Sequence, residues 1–303
     1  MAINWHTFRT RAGTALVFVA VMLAGLLWNG WSFFLLFSVV HFGCWMEYQK
    51  LVALIDPGYR EITPFHAFGV MLAGWCMMLF ASGELLPLGQ IHLDSIGFWL
   101  GIILLFCLPI LEILFARRLA TKNIAHSIFG LIYISMPLAL LMHLRSGSIW
   151  MPQDNAAGPL GPLTTSLGLI TGYTIPLLII ASIWINDTMA YIVGSLIGRT
   201  PLSSISPKKT WEGTIGGILL SVLTLSLVGV YGLHGDVLPF ALIAGISAIA
   251  GTLGDLFESK LKRMAGVKDS GHFMPGHGGF LDRFDSLLVA VPFVWLYCMV
   301  MAW

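Results

Sequence analysis

Nine stretches of this 303-residue chain are apolar for about as long as a helix needs to cross a bilayer. They fall at residues 12–29, 31–48, 66–87, 95–115, 126–144, 166–187, 213–232, 237–257 and 286–303. A helix spans about 30 Å of hydrocarbon in roughly 20 residues, and its backbone hydrogen bonds to itself on the way. Hydrophobic residues make up 57% of the chain, against about 45–50% in ordinary soluble domains. The expected class is all-α: a polytopic integral membrane protein of about nine transmembrane helices.

The distribution of charge orients these spans. Of the 16 Lys and Arg residues, Arg145 alone falls in a segment assigned to the outer side; the rest lie in segments on the side of the N-terminus. Basic loops are retained in the cytoplasm, so the N-terminus is predicted to be cytoplasmic. Arg9 and Arg11 precede the first apolar run, but no small-residue cleavage site follows, and the run is read as an uncleaved span. Cys44, Cys76, Cys107 and Cys298 lie in or beside apolar runs without a C-x-x-C pair, as buried free thiols do. No nucleic-acid partner is expected, and a homodimer is compatible with the chain.

Polar residues divide the chain unevenly. Residues 1–145 are read as scaffold helices, with Glu47 and Glu112 as their chief polar positions. Residues 146–303 are expected to carry a site facing the cytoplasm. Three segments of that half meet at the inner surface. In WINDTMAYIVGSLIGR, a helix would align Asp187, Tyr191, Gly194 and Gly198 on one face. A charge within such a run costs roughly 2.5–3.5 kcal/mol at mid-membrane and less at an interface, where a solvated Asp187 is the plain alternative.

In SPKKTWEGTIGG, Ser206 and Pro207 suit an N-cap and first helical position, with Thr210 as an alternative cap. Lys208 and Lys209 would then stand at the positive end of a helix, where amides and ammonium groups bind phosphate. Equally, the pair would anchor the chain on anionic headgroups. The third segment places Asp255, Glu258, Ser259 and Lys262 on one stripe of a helix. Beyond it runs KDSGHFMPGHGGFLDRFDS, from Lys268 to Ser286, with Asp282 and Asp285 three residues apart where the last span begins. Either aspartate can cap that helix.

Carboxylates from two helix ends can converge on a divalent cation, and oxygen donors without cysteine suit Mg²⁺ or Mn²⁺. With Lys262, Arg263, Lys268 and Arg283 around them, they have the composition that phosphoryl or nucleotidyl transfer requires. His272 and His277 are spaced by five and match no zinc pattern; His277 is read as a phosphate contact or a support of the loop.

From Ser259 to Asp285 the chain resembles the signature of the phosphatidate cytidylyltransferases, also called CDP-diacylglycerol synthases. That pattern runs Ser-x-apolar-Lys-Arg, four residues, Lys-Asp and a small residue, then Pro-x-His-Gly-Gly-apolar-x-Asp-Arg-apolar-Asp. NDTMAY, Gly194, Gly198 and SPKKTWEG are similar to the family as well, with Met189 and Ser195 where a glycine and a basic residue are usual. The resemblance implies that CTP and phosphatidic acid give CDP-diacylglycerol and pyrophosphate at the cytoplasmic surface of a bacterial inner membrane, within phospholipid biosynthesis. It implies Mg²⁺, with K⁺ as a second cation, and makes Asp255 and Asp282 the metal ligands.

Catalytic roles would fall to Asp255, Asp282, Lys262, Lys268 and Asp285. Substrate contacts would fall to Asp187, Lys208, Lys209, Ser259, Arg263, Asp269, His277, Gly278, Gly279 and Arg283. Membrane lipids are the third partner class. The alternatives are another CTP-dependent lipid enzyme, such as a polyprenol kinase or an archaeal-type CDP-lipid synthase, and an ion-coupled transporter. A transporter would carry charge near the midplane of several helices and show internal repeats.

Overall fold

The computed structural model of the chain describes residues 5–116, 121–147, 172–271 and 278–302. Among these residues there are nine long helices: α1 (Trp5–Leu27), α2 (Gly30–Ile55), α3 (Pro64–Ala81), α4 (Leu93–Phe115), α5 (Thr121–Ser146), α6 (Thr174–Ile197), α7 (Trp211–Gly232), α8 (Val237–Met264) and α9 (Leu281–Ala302). No strand occurs among them; two isolated bridges pair Leu88 with Ile91 and Pro201 with Thr210. Seven helices, α3 to α9, are long and apolar enough to cross a membrane. In α1 the qualifying stretch is shorter, Leu16–Leu27.

Two boundaries are informative. Residues 188–198, which by sequence either extend the sixth span or cap it, extend it: α6 continues to Ile197 and is capped by Gly198, whose N–H donates to Gly194 O. Polar residues at 186–188 mark a change of surroundings, but nothing there breaks a helix. The last helix opens at Leu281, five residues before the apolar run, because Asp282 is comfortable in a first turn.

The helices cluster into two compact units: Met1–Phe80, Leu85–Ser135 and Leu261–Phe284 in the first, and Ala81–Glu84, Met136–Lys260 and Asp285–Trp303 in the second. Lipid is as apolar as leucine, so inside a bilayer close packing and hydrogen bonds hold helices together. The first unit follows this rule. Phe33, Phe37, Trp45 and Tyr48 of α2 are fully buried. Trp45 Nε1 donates to Ser135 Oγ at 2.9 Å, and Tyr48 donates to His126 O at 2.8 Å. Glu112 of α4 accepts from Thr63 Oγ1 at 2.6 Å.

In the second unit α6 and α7 lie very close. A Cβ at Gly213 would stand 2.6 Å from Ala190 O, and one at Gly217 would stand 2.7 Å from Asn186 O. Deeper along the pair, Ser182 Oγ donates to Ala244 O of α8 at 2.8 Å, and Ser221 Oγ to Ser182 O at 3.0 Å. Interhelical bonds of this kind average about 0.6 kcal/mol. Together they fix the face on which Asn186 and Asp187 emerge.

Candidate active site

In the second unit, the loop ahead of α7 is folded back on itself. Leu202 N donates to Lys209 O at 2.8 Å, Lys209 N to Ser206 O at 3.0 Å, and Trp211 N to Thr200 O at 2.9 Å. Thr210 is the N-cap, its Oγ1 accepting from Gly213 N at 3.2 Å, so the alternative cap is realised and Ser206 is not in that role. Lys208 and Lys209 therefore precede the helix on a pinned loop. In the first turn of α7, Glu212 accepts from Arg199 N, Thr200 N and Thr200 Oγ1, closing the loop at its other end.

Loop, α6, α7 and α8 enclose a cavity of about 460 Å³ whose walls include Asp187, Tyr191, Lys208, Lys209, Thr210 and Asp255. That size accommodates a nucleotide-sized ligand. Lys209 Nζ is ion-paired with Asp255 Oδ2, and Ser259 Oγ donates to Asp255 Oδ1 at 3.3 Å. Asp285, buried in the second turn of α9, accepts from Ser286 N and feels the charges of Asp255, Asp187 and Lys209. Three carboxylates thus share the field of one paired ammonium, with Lys208 on the rim. Such a site favours an added cation.

A hard cation also suits the donors present. Asn186 is 3% exposed; its Nδ2 donates to Asp187 Oδ1 at 3.3 Å, while its Oδ1 is buried without a hydrogen-bond partner. Its amide oxygen faces the place a Cβ at Gly217 would take, while the carboxylates of Asp187 and Asp255 on the cavity wall are the oxygen chemistry that Mg²⁺ and Mn²⁺ take. Among the described residues no group of three or more His, Cys, Asp or Glu forms a ready-made cage. Mg²⁺ commonly needs none, because it binds through one or two carboxylates together with substrate phosphates.

In the first unit, α8 ends at a left-handed Gly266, with Val267 N donating to Lys262 O. Lys262 Nζ then reaches Asp282 Oδ1 at 2.6 Å. The other oxygen, Oδ2, accepts from Gly279 N at 2.7 Å, Ser270 Oγ at 2.9 Å and Ser270 N at 3.0 Å. Gly278 makes this wrapping feasible: its φ is +83°, and a Cβ there would lie 2.6 Å from Asp282 Oδ2. Arg263 Nη1 turns back to Val267 O at 3.3 Å. Lys268 and Asp269 are exposed on the loop. Arg283 is exposed and borders an apolar cavity of about 120 Å³ together with Phe18, Phe280 and Phe284.

The structure thus groups Asp187, Lys208, Lys209, Asp255, Ser259 and Asp285 in one unit, and Lys262, Gly278, Gly279 and Asp282 in the other. His272 and His277 lie outside the described residues. Two contributors escaped the sequence reading. Ser270 counted only as a small residue, yet it supplies two donors to Asp282. Glu47 of α2, assigned to the scaffold, accepts hydrogen bonds from Ser270, Phe280 and Leu281.

The model of the cytidylyltransferase family matches residues 9–301. A phosphatidate cytidylyltransferase of Synechocystis is 34% identical over 306 residues, covering 95% of each chain. One from Staphylococcus epidermidis is 47% identical over 112 residues, 36% of this chain and 43% of its own. A chloroplastic phosphatidate cytidylyltransferase of Arabidopsis thaliana is 37% identical over 169 residues, 55% of this chain and 43% of its own.

Proposed function

This chain belongs to the cytidylyltransferase family, and on that premise we propose that it transfers CMP from CTP to phosphatidic acid. A phosphate oxygen of the lipid attacks the α-phosphorus of CTP. The bond from that phosphorus to the bridging oxygen of the β-phosphate breaks, pyrophosphate leaves with the electron pair, and CDP-diacylglycerol remains. A phosphate monoester at neutral pH is already an anionic nucleophile, so the protein need not activate it.

The observation that carries the reading is the second unit's cavity, where Lys208 and Lys209 face Asp187 and Asp255. Two polyanions meet in this reaction, and fixed ammonium groups offset their repulsion. Lys208 and Lys209 bind the triphosphate, and Ser259 orients Asp255. Lys262 and the Ser270 donors hold Asp282 in one rotamer. By resemblance to the family, Arg263, Lys268, Asp269, His277 and Arg283 are assigned as further substrate contacts. Asp255 and Asp282 are each assigned as metal ligands. Bound Mg²⁺ or Mn²⁺, with K⁺ as second cation, supplies charge neutralisation on the triphosphate.

In this reading α1 and α2 also cross the bilayer, giving nine spans with the N-terminus in the cytoplasm. The site faces the cytoplasm, where CTP is found. Residues 146–303 carry it and residues 1–145 are scaffold. Purified protein should release pyrophosphate from CTP only when phosphatidic acid and Mg²⁺ are both present. CTP hydrolysis without lipid, or phosphorylation of a polyprenol with release of CDP, would overturn the substrate assignment.

A further inference from the structure

We infer that Glu47, a scaffold residue by its place in the sequence, is the positioning residue for the loop that carries Asp282; the inference rests on the reaction proposed above. The side chain is 6% exposed in the interior of α2 and belongs to the same compact unit as the loop. It grips the loop at both ends. Ser270 Oγ, at the beginning, lies 2.7 Å from Glu47 Oε2. Phe280 N and Leu281 N, at the end, donate to Oε1 and Oε2 at 3.0 and 2.9 Å. These partners are 223 to 234 positions away in the chain.

Each contact leads directly to Asp282. The Ser270 hydroxyl that meets Glu47 also stands 2.9 Å from Asp282 Oδ2, so its single proton is shared between the two carboxylates. Leu281 opens α9, and its N–H is one of the amides a helix leaves unpaired at its first turn. A carboxylate there is favoured by the helix dipole as well as by the hydrogen bond. Asp282 is the next residue, so the carboxylate that fixes Leu281 N fixes the root of the Asp282 side chain.

The shape of the contact supports the same conclusion. A Cβ at Gly271 would stand 2.1 Å from Glu47 Oε1, and one at Gly279 would stand 2.2 Å from Oε2. A Cβ at Gly43, one turn before Glu47 on the same face of α2, would meet the Phe280 ring at 2.4 Å. Carboxylate and ring groove therefore receive the backbone and side chain of one loop residue together. A buried carboxylate that only stabilised α2 would need none of this.

The test uses the full-length protein with Glu47→Gln, whose shape is kept but whose amide NH₂ confronts backbone donors, and with Glu47→Asp, which is one methylene too short to hold both ends. Two measurements are made: CTP-binding sites per chain with turnover per site, and hydrogen exchange of residues 278–284. The expected result is an unchanged number of CTP sites, turnover per site lower by about tenfold or more, and exchange at Phe280 and Leu281 at least tenfold faster. Unchanged turnover per site, or exchange as slow as in the parent protein, overturns the inference. If the parent protein releases no pyrophosphate from CTP, the proposed reaction falls, and the exchange measurement still decides the role of Glu47 by itself.

Discussion

Lys262 Nζ stands 2.6 Å from Asp282 Oδ1, with both side chains largely buried, so the last turn of α8 is tied to the first turn of α9 by an ion pair. Removing one member of a buried pair leaves an uncompensated charge and costs about 3–5 kcal/mol. Lys262→Met is expected to fall near the lower end, because Ser270 and Gly279 still donate to the carboxylate. Thermal unfolding in detergent measures this, and the double variant with Asp282→Asn should be more stable than Lys262→Met alone. Asp282→Asn by itself should abolish pyrophosphate release while the protein still elutes as folded. Normal turnover in that variant removes Asp282 from the site.

Gly278 should tolerate no side chain. At φ +83° an alanine is strained by about 1–2 kcal/mol. Its Cβ would also press on Asp282 Oδ2. Gly278→Ala is expected to lower turnover more than tenfold and to leave the KM for CTP within about twofold. A larger effect on KM than on kcat would show that the loop serves nucleotide binding first.

The spacing of α6 and α7 sets the width of the cavity. Gly217→Val places a Cβ against Asn186 O and should cost about 1–3 kcal/mol by overpacking. Because Asn186 and Asp187 line the cavity, the KM for CTP should rise severalfold. Gly232→Ala is the control, since its Cβ would meet nothing closer than 3.8 Å, and it should change both stability and KM little.

The proposed orientation is open to labelling. Cys44, Cys76 and Cys298 are buried, so Cys107→Ser provides a quiet background. In intact cells a membrane-impermeant thiol reagent should modify Asp94→Cys, just inside the start of α4, and should reach Lys122→Cys, at the start of α5, only after permeabilisation. The reverse pattern would invert the topology.

Much of this was legible in the residues. Runs such as 237–257 and 95–115 locate α8 and α4 because an apolar helix in lipid is a local property of a short window. The pattern from Ser259 to Asp285 marked Lys262 and Asp282, which do meet. What periodicity conceals is the partner of a lone charge. The pairing of Lys209 with Asp255 joins residues 46 apart, and that of Glu47 with Leu281 joins residues 234 apart. No spacing rule reaches so far.

A physical signal for Glu47 existed nonetheless. A carboxylate inside an apolar run is costly unless donors surround it, and a glycine-rich loop is a ready supply of backbone donors. Whether 188–198 extends α6 or caps it stays open in the sequence for a different reason. Asp187 and Thr188 are polar, and polarity in a span marks a site as readily as it marks a boundary.

Gly271 and Gly279 are glycines because the carboxylate of Glu47 fills the volume their side chains would take. The three positions therefore cannot drift independently. An alanine at 271 or 279 requires a shorter acid at 47, and a longer residue at 47 has no room at all. The small-residue composition that makes this loop recognisable is, in part, the imprint of a side chain on a helix more than two hundred residues upstream.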